Sequence, residues 1–155
     1  MIDNIQPAAL LLTANYLTAE ETAVNEAMAL NKAAIFPALI SAGISRVTVD
    51  YDGGGDEGNL EQPVAFDAES NEVEFPGTKV TIITLSFNDI RQSPETHVLR
   101  DAIESVACTL VEGTHGGWED GEGACGQIDF NVAAETITLE HRARFVDYDV
   151  TETAF

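Results

Sequence analysis

Arg46-Val-Thr-Val-Asp-Tyr-Asp-Gly-Gly-Gly-Asp-Glu-Gly-Asn-Leu-Glu-Gln-Pro-Val-Ala-Phe66 reads as a strand, a glycine-rich turn and a returning strand. Arg46–Tyr51 alternates apolar and polar residues and is rich in β-branched and aromatic side chains, the pattern of a half-buried strand. Asn59–Phe66 is its expected hairpin partner across the loop 52–58, and Pro63 within it marks an edge or a bulge. Glu72–Phe75 and Lys79–Phe87 read as further strands. Gln127–Asn131 and Thr136–Asp147 read as a last hairpin across Val132–Glu135.

Two helices interrupt these strands. Thr18-Ala19-Glu20-Glu21 has the form of a capping box, which predicts a helix over Ala19–Ala42 with Val24, Met28, Ile35 and Leu39 on one stripe. Gly43 is a natural stop, and Pro37 is expected to kink or divide the segment. Residues 1–17 read as an arm or short helix, with the apolar run Ala8–Leu12. Ser93-Pro94 predicts a second helix start, followed by Leu99, Ile103, Val106 and Leu110 at helical spacing and ended by Gly113. Helix, strands, helix, strands, with short joins and no repeating βαβ unit, predicts an α+β fold. A mainly antiparallel sheet with helices packed on one face is expected, as a single globular domain over residues 1–155.

The chain carries 27 acidic and 7 basic residues, a formal charge of −20 over 155 residues. Nine carboxylates lie between Val47 and Thr78 and nine more between Asp101 and His141, with no lysine or arginine in either stretch. Such a field repels nucleic acid and anionic membranes and favours cationic partners; a solvated, salt-adapted surface is the plainer alternative. A hydrophobic content of 45% supports a real core. No apolar run spans a bilayer and no signal-peptide pattern opens the chain, so a cytoplasmic protein with Cys108 and Cys125 reduced is expected.

Two glycine–acid loops carry the candidate sites. In the first, Asp50, Asp52, Asp56 and Glu61 resemble an oxygen-rich cradle for a hard cation such as Ca²⁺ or Mg²⁺, although the spacing is not that of an EF-hand. In the second, His115-Gly-Gly-Trp-Glu-Asp-Gly-Glu-Gly-Ala-Cys-Gly-Gln127 presents Trp118, Glu119, Asp120 and Glu122. Trp118 is either an anchor for a partner or a plug at the end of a core. Gly-Ala-Cys-Gly-Gln-Ile-Asp129 echoes Gly-Asp-Glu-Gly-Asn-Leu-Glu61; a shared turn with positive φ before a strand is the expected cause, with a duplicated ligand site as the alternative. Cys125 and His115 are the one thiol–imidazole pair close in sequence, and no catalytic residue is assigned. No cofactor is expected beyond a divalent cation.

The blocks 42–61 and 114–130, with Thr136-Ile-Thr-Leu-Glu140 and the aromatic, acidic tail, resemble a small bacterial domain family of unknown function, often borne on plasmids and mobile elements. The resemblance spans roughly residues 30 to 155. Cys125 and Gln127 stand where an aromatic and an acid are expected, and Pro37 interrupts an otherwise continuous helix. The resemblance implies no activity, but it implies a setting of conflict between mobile DNA and its host.

Two functions follow as expectations. The first is an acidic inhibitor or interaction protein of the anti-CRISPR or anti-restriction type. It would mimic nucleic acid and block a basic nucleic-acid-binding protein through Asp52, Asp56, Glu57, Glu61, Trp118, Glu119, Asp120 and Glu122. The second is a metal-binding module or metal-dependent enzyme using the loops 50–61 and 119–129, which must then converge.

Overall fold

The computed structural model describes residues 7–85 and 92–155, with side chains from residue 21 onward. Helix α1 runs Pro7–Ser41, followed by strands β1 (Arg46–Gly54), β2 (Glu57–Leu60), β3 (Val64–Phe66), β4 (Glu72–Val73), β5 (Lys79–Leu85) and β6 (Gln92–Val98). Helix α2 (Leu99–Thr114), β7 (Ala124–Asn131) and β8 (Thr136–Ala143) complete the chain. The fold is α+β. Six strands form the main antiparallel sheet in the order β4-β3-β1-β7-β8, with β2 paired to the far end of β1; β5 and β6 form a separate two-stranded sheet.

The alternation of β1 sorts the sheet. Val47, Val49 and Tyr51 face a single core with Ala65, Ala124, Ile128 and Phe130, and Ile35, Phe36 and Leu39 of α1 and Leu99, Ile103 and Val106 of α2 close over them. The Phe36 and Phe130 rings meet at 6.5 Å. Thr48, Asp50 and Asp52 point to the other face. The expected single strand Asn59–Phe66 is two: β2 ends at Leu60, β3 begins at Val64, and Pro63 lies in the break between them, each strand pairing with its own part of β1.

Both expected helix starts differ from the structure. α1 begins at Pro7, a favoured first helical position, and runs on through Thr18, so the capping sequence lies inside the helix. Pro37 sits within α1 without dividing it, on an exposed face, while its neighbours Ile35, Phe36 and Leu39 are fully buried. The helix stops as expected at Gly43, whose φ is +72°, with the Ile44 N–H donating to the Leu39 carbonyl at 3.0 Å.

Ser93-Pro94 opens no helix. Both residues lie in β6, where Pro94 pairs with Ile83, and α2 starts at Leu99. The reason is Asn31. Its side chain donates to the Ile83 carbonyl at 3.0 Å and accepts from the Ile83 N–H at 2.6 Å, so both backbone groups of Ile83 turn toward α1. Ile83 and Pro94 are therefore a non-hydrogen-bonded pair, and the missing proline N–H costs the ladder nothing. Lys79–Leu85 of the expected strand Lys79–Phe87 is β5; Ser86 and Phe87 fall outside the described residues.

Candidate functional site

The first glycine–acid loop is a two-residue hairpin. Gly55 and Asp56 both have positive φ (+62° and +67°), the turn whose twist suits flanking strands, between the paired residues Gly54 and Glu57. The second loop leaves the end of α2 and enters β7 through Gly123 at φ +75°. The echo between the two segments thus has the expected cause at its first glycines.

The second glycines of the echo do something the sequence did not disclose. A Cβ on Gly58 would come within 2.5 Å of the Trp118 ring, and one on Gly53 within 2.6 Å of it. A Cβ on Gly126 would collide with the Glu140 carbonyl and the Tyr51 hydroxyl. Each bare glycine is a seat for an aromatic ring. Trp118, 9% exposed, lies edge-on to Tyr51 with ring centroids 5.1 Å apart. Trp118 is therefore a plug and not an exposed anchor: the glycines beneath it let it sink against the sheet.

Tyr51 reaches across Gly126 to His141, sharing a hydrogen bond with its Nδ1 at 2.5 Å. His141 stacks on His115, at the end of α2, with centroids 3.6 Å apart and planes 5° from parallel. Burial, and then the neighbouring His115, hold His141 below the ordinary imidazole value, and burial pushes the Tyr51 phenol up. This chain clamps the second loop to the sheet. Cys125 is not part of it: β7 alternates, and Cys125 lies between Asp52 and Arg142 on the opposite face of the sheet. The pairing of Cys125 with His115 is thereby removed. Both cysteines are free, and burial, then Glu112, pushes the Cys108 thiol up.

The two acidic loops do converge. The Gly55 N–H donates to the Gly121 carbonyl at 2.8 Å, and the Asp56 N–H to the Glu119 carbonyl at 2.9 Å. These bonds zip the hairpin tip to the second loop and bring Asp56, Glu57, Glu119, Asp120 and Glu122 to one end of the sheet. Glu112 of α2 joins them beside Trp118. None of these six forms an ion pair among the described residues.

The remaining candidates lie elsewhere. Asp52 accepts from Arg144 at 2.8 Å, and Asp50 accepts from Gln127 at 2.7 Å. Glu61 is exposed on the rim of an open concavity of about 810 Å³ on the outer face of the sheet. Asp50 and Asp52 line that concavity with Glu61 while Asp56 lies at the tip, and no three His, Cys, Asp or Glu side chains among the described residues are grouped closely enough to hold a metal ion. The base-free stretches are also not base-free in space. Arg46 forms a forked bond with Asp129 (2.8 to 3.1 Å), which holds the guanidinium above its ordinary value, and Arg142 faces Glu140 at 3.5 Å. Asp67, Glu69, Glu72 and Glu74 belong to the opposite end, beyond the start of β1.

One comparison with known proteins answers, and it does so over most of the chain. The match runs over residues 27–155. The chain belongs to DUF6878, a family of unknown function. No curated protein and no solved structure matches it. The DUF6878 match begins at Ala27, the first buried residue of α1 among the described side chains, and takes in the whole packed body with both glycine–acid loops. No described helix is long and apolar enough to cross a membrane.

Proposed function

We propose that this protein is a non-catalytic acidic interaction protein. Its tip, formed by Asp56, Glu57, Glu112, Glu119, Asp120 and Glu122, would occupy the basic groove of a nucleic-acid-binding protein. The observation that supports this is the zipping of two sequence-distant loops into one end whose six carboxylates form no ion pair with a described basic side chain. Duplex DNA presents about one negative charge per 1.7 Å of axis, and grooves built to neutralise that row attract a comparable array of carboxylates. The frame beneath the tip is closely packed: Trp118 is sunk on two glycines, and His115 is stacked on His141. A packed frame suits a mimic, because only the carboxylate side chains would need ordering on docking. An inhibitor of the anti-restriction or anti-CRISPR type is the function such an array fits, with a nuclease that carries a basic cleft as the partner.

The test is competition. The protein, immobilised, should retain a purified restriction or CRISPR nuclease, and duplex DNA and added salt should each release it. Reversing the tip with Asp56→Lys, Glu57→Lys, Glu119→Lys and Glu122→Lys should abolish retention. Reversing Glu69, Glu72 and Glu74 at the opposite end should not. Equal loss from both ends would reduce the effect to net charge and sink the proposal.

A further inference from the structure

Beyond Ala143 regular structure ceases, yet the sequence keeps the period of a strand. Val146, Tyr148 and Val150 alternate with Asp147, Asp149 and Thr151. That is an apolar face and a polar face at a period of two. The apolar face has no cover: Val146 is 52%, Tyr148 81% and Val150 79% exposed, and Phe145 beside them is 84% exposed. Residues 145–150 are a strand without a sheet.

The sheet offers a matching edge. The opposite edge strand, β4, has two residues, and in the smaller sheet β6 is blunted by Pro94, both common protections of an edge. β8 has eight residues and no proline, and its outer edge is unpaired among the described residues. Its core-facing Ile137 and Leu139 are only partly buried, so the rim of the core is left half-covered there. β8 also carries Arg142, with Arg144 one residue beyond it, while the tail carries Asp147 and Asp149.

The tail is ill-suited to reach its own β8. Arg144 continues the line of the strand: its N–H donates to the Gly123 carbonyl at 2.9 Å, and its guanidinium is held by the Gly53 carbonyl and Asp52. Folding back would demand a tight turn immediately after it, and residues 144–155 contain no glycine, asparagine or proline to make one. We propose that residues 145–150 of one copy add as a strand along the free edge of β8 in a second copy, so that the protein forms a dimer by exchange of tails. The apolar face would continue the Ile137 and Leu139 row. On its apolar face each tail brings the Tyr148 ring, able to bury roughly 150–250 Å², flanked by Val146 and Val150. Counted with the β8 surface they would cover, two reciprocal tails reach the roughly 1,000 Å² expected of a specific interface.

Sedimentation equilibrium of the full chain is the first test, expected to show a reversible dimer. Tyr148→Asp and Val150→Asp should each weaken it roughly a hundredfold or more, whereas Thr151→Asp on the polar face should not. The exposed tail carries no packing in the monomer, so far-UV dichroism should be unchanged in all three. A photo-crosslinker at position 148 should capture β8 of the other copy. A monomer at all concentrations, a dimer indifferent to Tyr148→Asp, or a crosslink away from β8 would each overturn the proposal. Added salt should tighten this dimer of like-charged copies and loosen the partner complex proposed above, so the two proposals fail separately.

Discussion

Replacing Asn31 with alanine should destabilise the protein by about 1–2 kcal/mol, because one side chain satisfies both backbone groups of Ile83. Asn31 is 7% exposed, in the middle of α1. The alanine would strand an N–H and a C=O, at about 1–3 kcal/mol for each buried group left unpaired. Ile83 is only partly buried, which puts each cost near the low end. Alanine's better helix propensity returns about 0.6 kcal/mol. Urea unfolding should register the difference, and the melting temperature should fall by roughly 3–6 °C for a domain of this size. Amide exchange supplies the specific readout: the Ile83 N–H should lose protection beyond what the global change explains. Asn31→Asp should do no better, since a carboxylate keeps the acceptor but sets negative charge against the Ile83 carbonyl. A loss under about 0.5 kcal/mol with unchanged exchange at Ile83 would refute the account, and with it the explanation of why Pro94 is tolerated in β6.

Gly126→Ala should prevent Tyr51 from reaching His141 and fail to give a cooperative fold, whereas Gly77→Ala, where a Cβ meets nothing, should melt within about 2 °C of the parent. Trp118→Ala should cost about 3 kcal/mol or more by emptying the seat above Gly53 and Gly58, measured by denaturant unfolding. Because the folded state holds His141 below its unfolded value, its contribution is present above the ordinary imidazole range. It is lost as pH falls through the folded value, so stability should decline on mild acidification. His141→Gln should flatten that slope, and an unchanged slope would exclude His141 as its source. Sodium chloride should raise the melting temperature by screening the net charge of −20, and EDTA at matched ionic strength should not shift it; a chelator effect would point to a bound cation.

The central sheet was legible because its signals are local. The alternation in Arg46–Tyr51, the break at Pro63 and the hairpin across Val132–Glu135 each occupy a few consecutive residues. The start of α2 was not, because Ser93-Pro94 fits a helix start and a non-hydrogen-bonded strand pair equally well, and the choice is made by Asn31. The tip was half legible. Segregation of the acids is visible in the chain, but whether they gather depends on hydrogen bonds joining Gly55 to Gly121 and Asp56 to Glu119. Register also splits the first stretch between opposite ends and brings Arg46, Arg142 and Arg144, from the flanks of the two stretches, onto Asp129, Glu140 and Asp52. Trp118 was ambiguous for a simpler reason: the glycines that receive it lie some sixty residues upstream.

Those glycines divide the molecule into parts that can and cannot drift. At Gly53, Gly58, Gly123 and Gly126 a single added methyl meets backbone or an aromatic ring, so folding itself polices these positions. Apart from Asp56, whose positive φ favours aspartate, asparagine or glycine, the carboxylates of the tip are exposed or nearly so and bond to little, so as far as folding is concerned they are free to go. Mutation should therefore erode the tip's charge quickly in any lineage where nothing outside the molecule depends on it. A tip that stays acidic while the neighbouring surface changes would be the mark of selection by a partner.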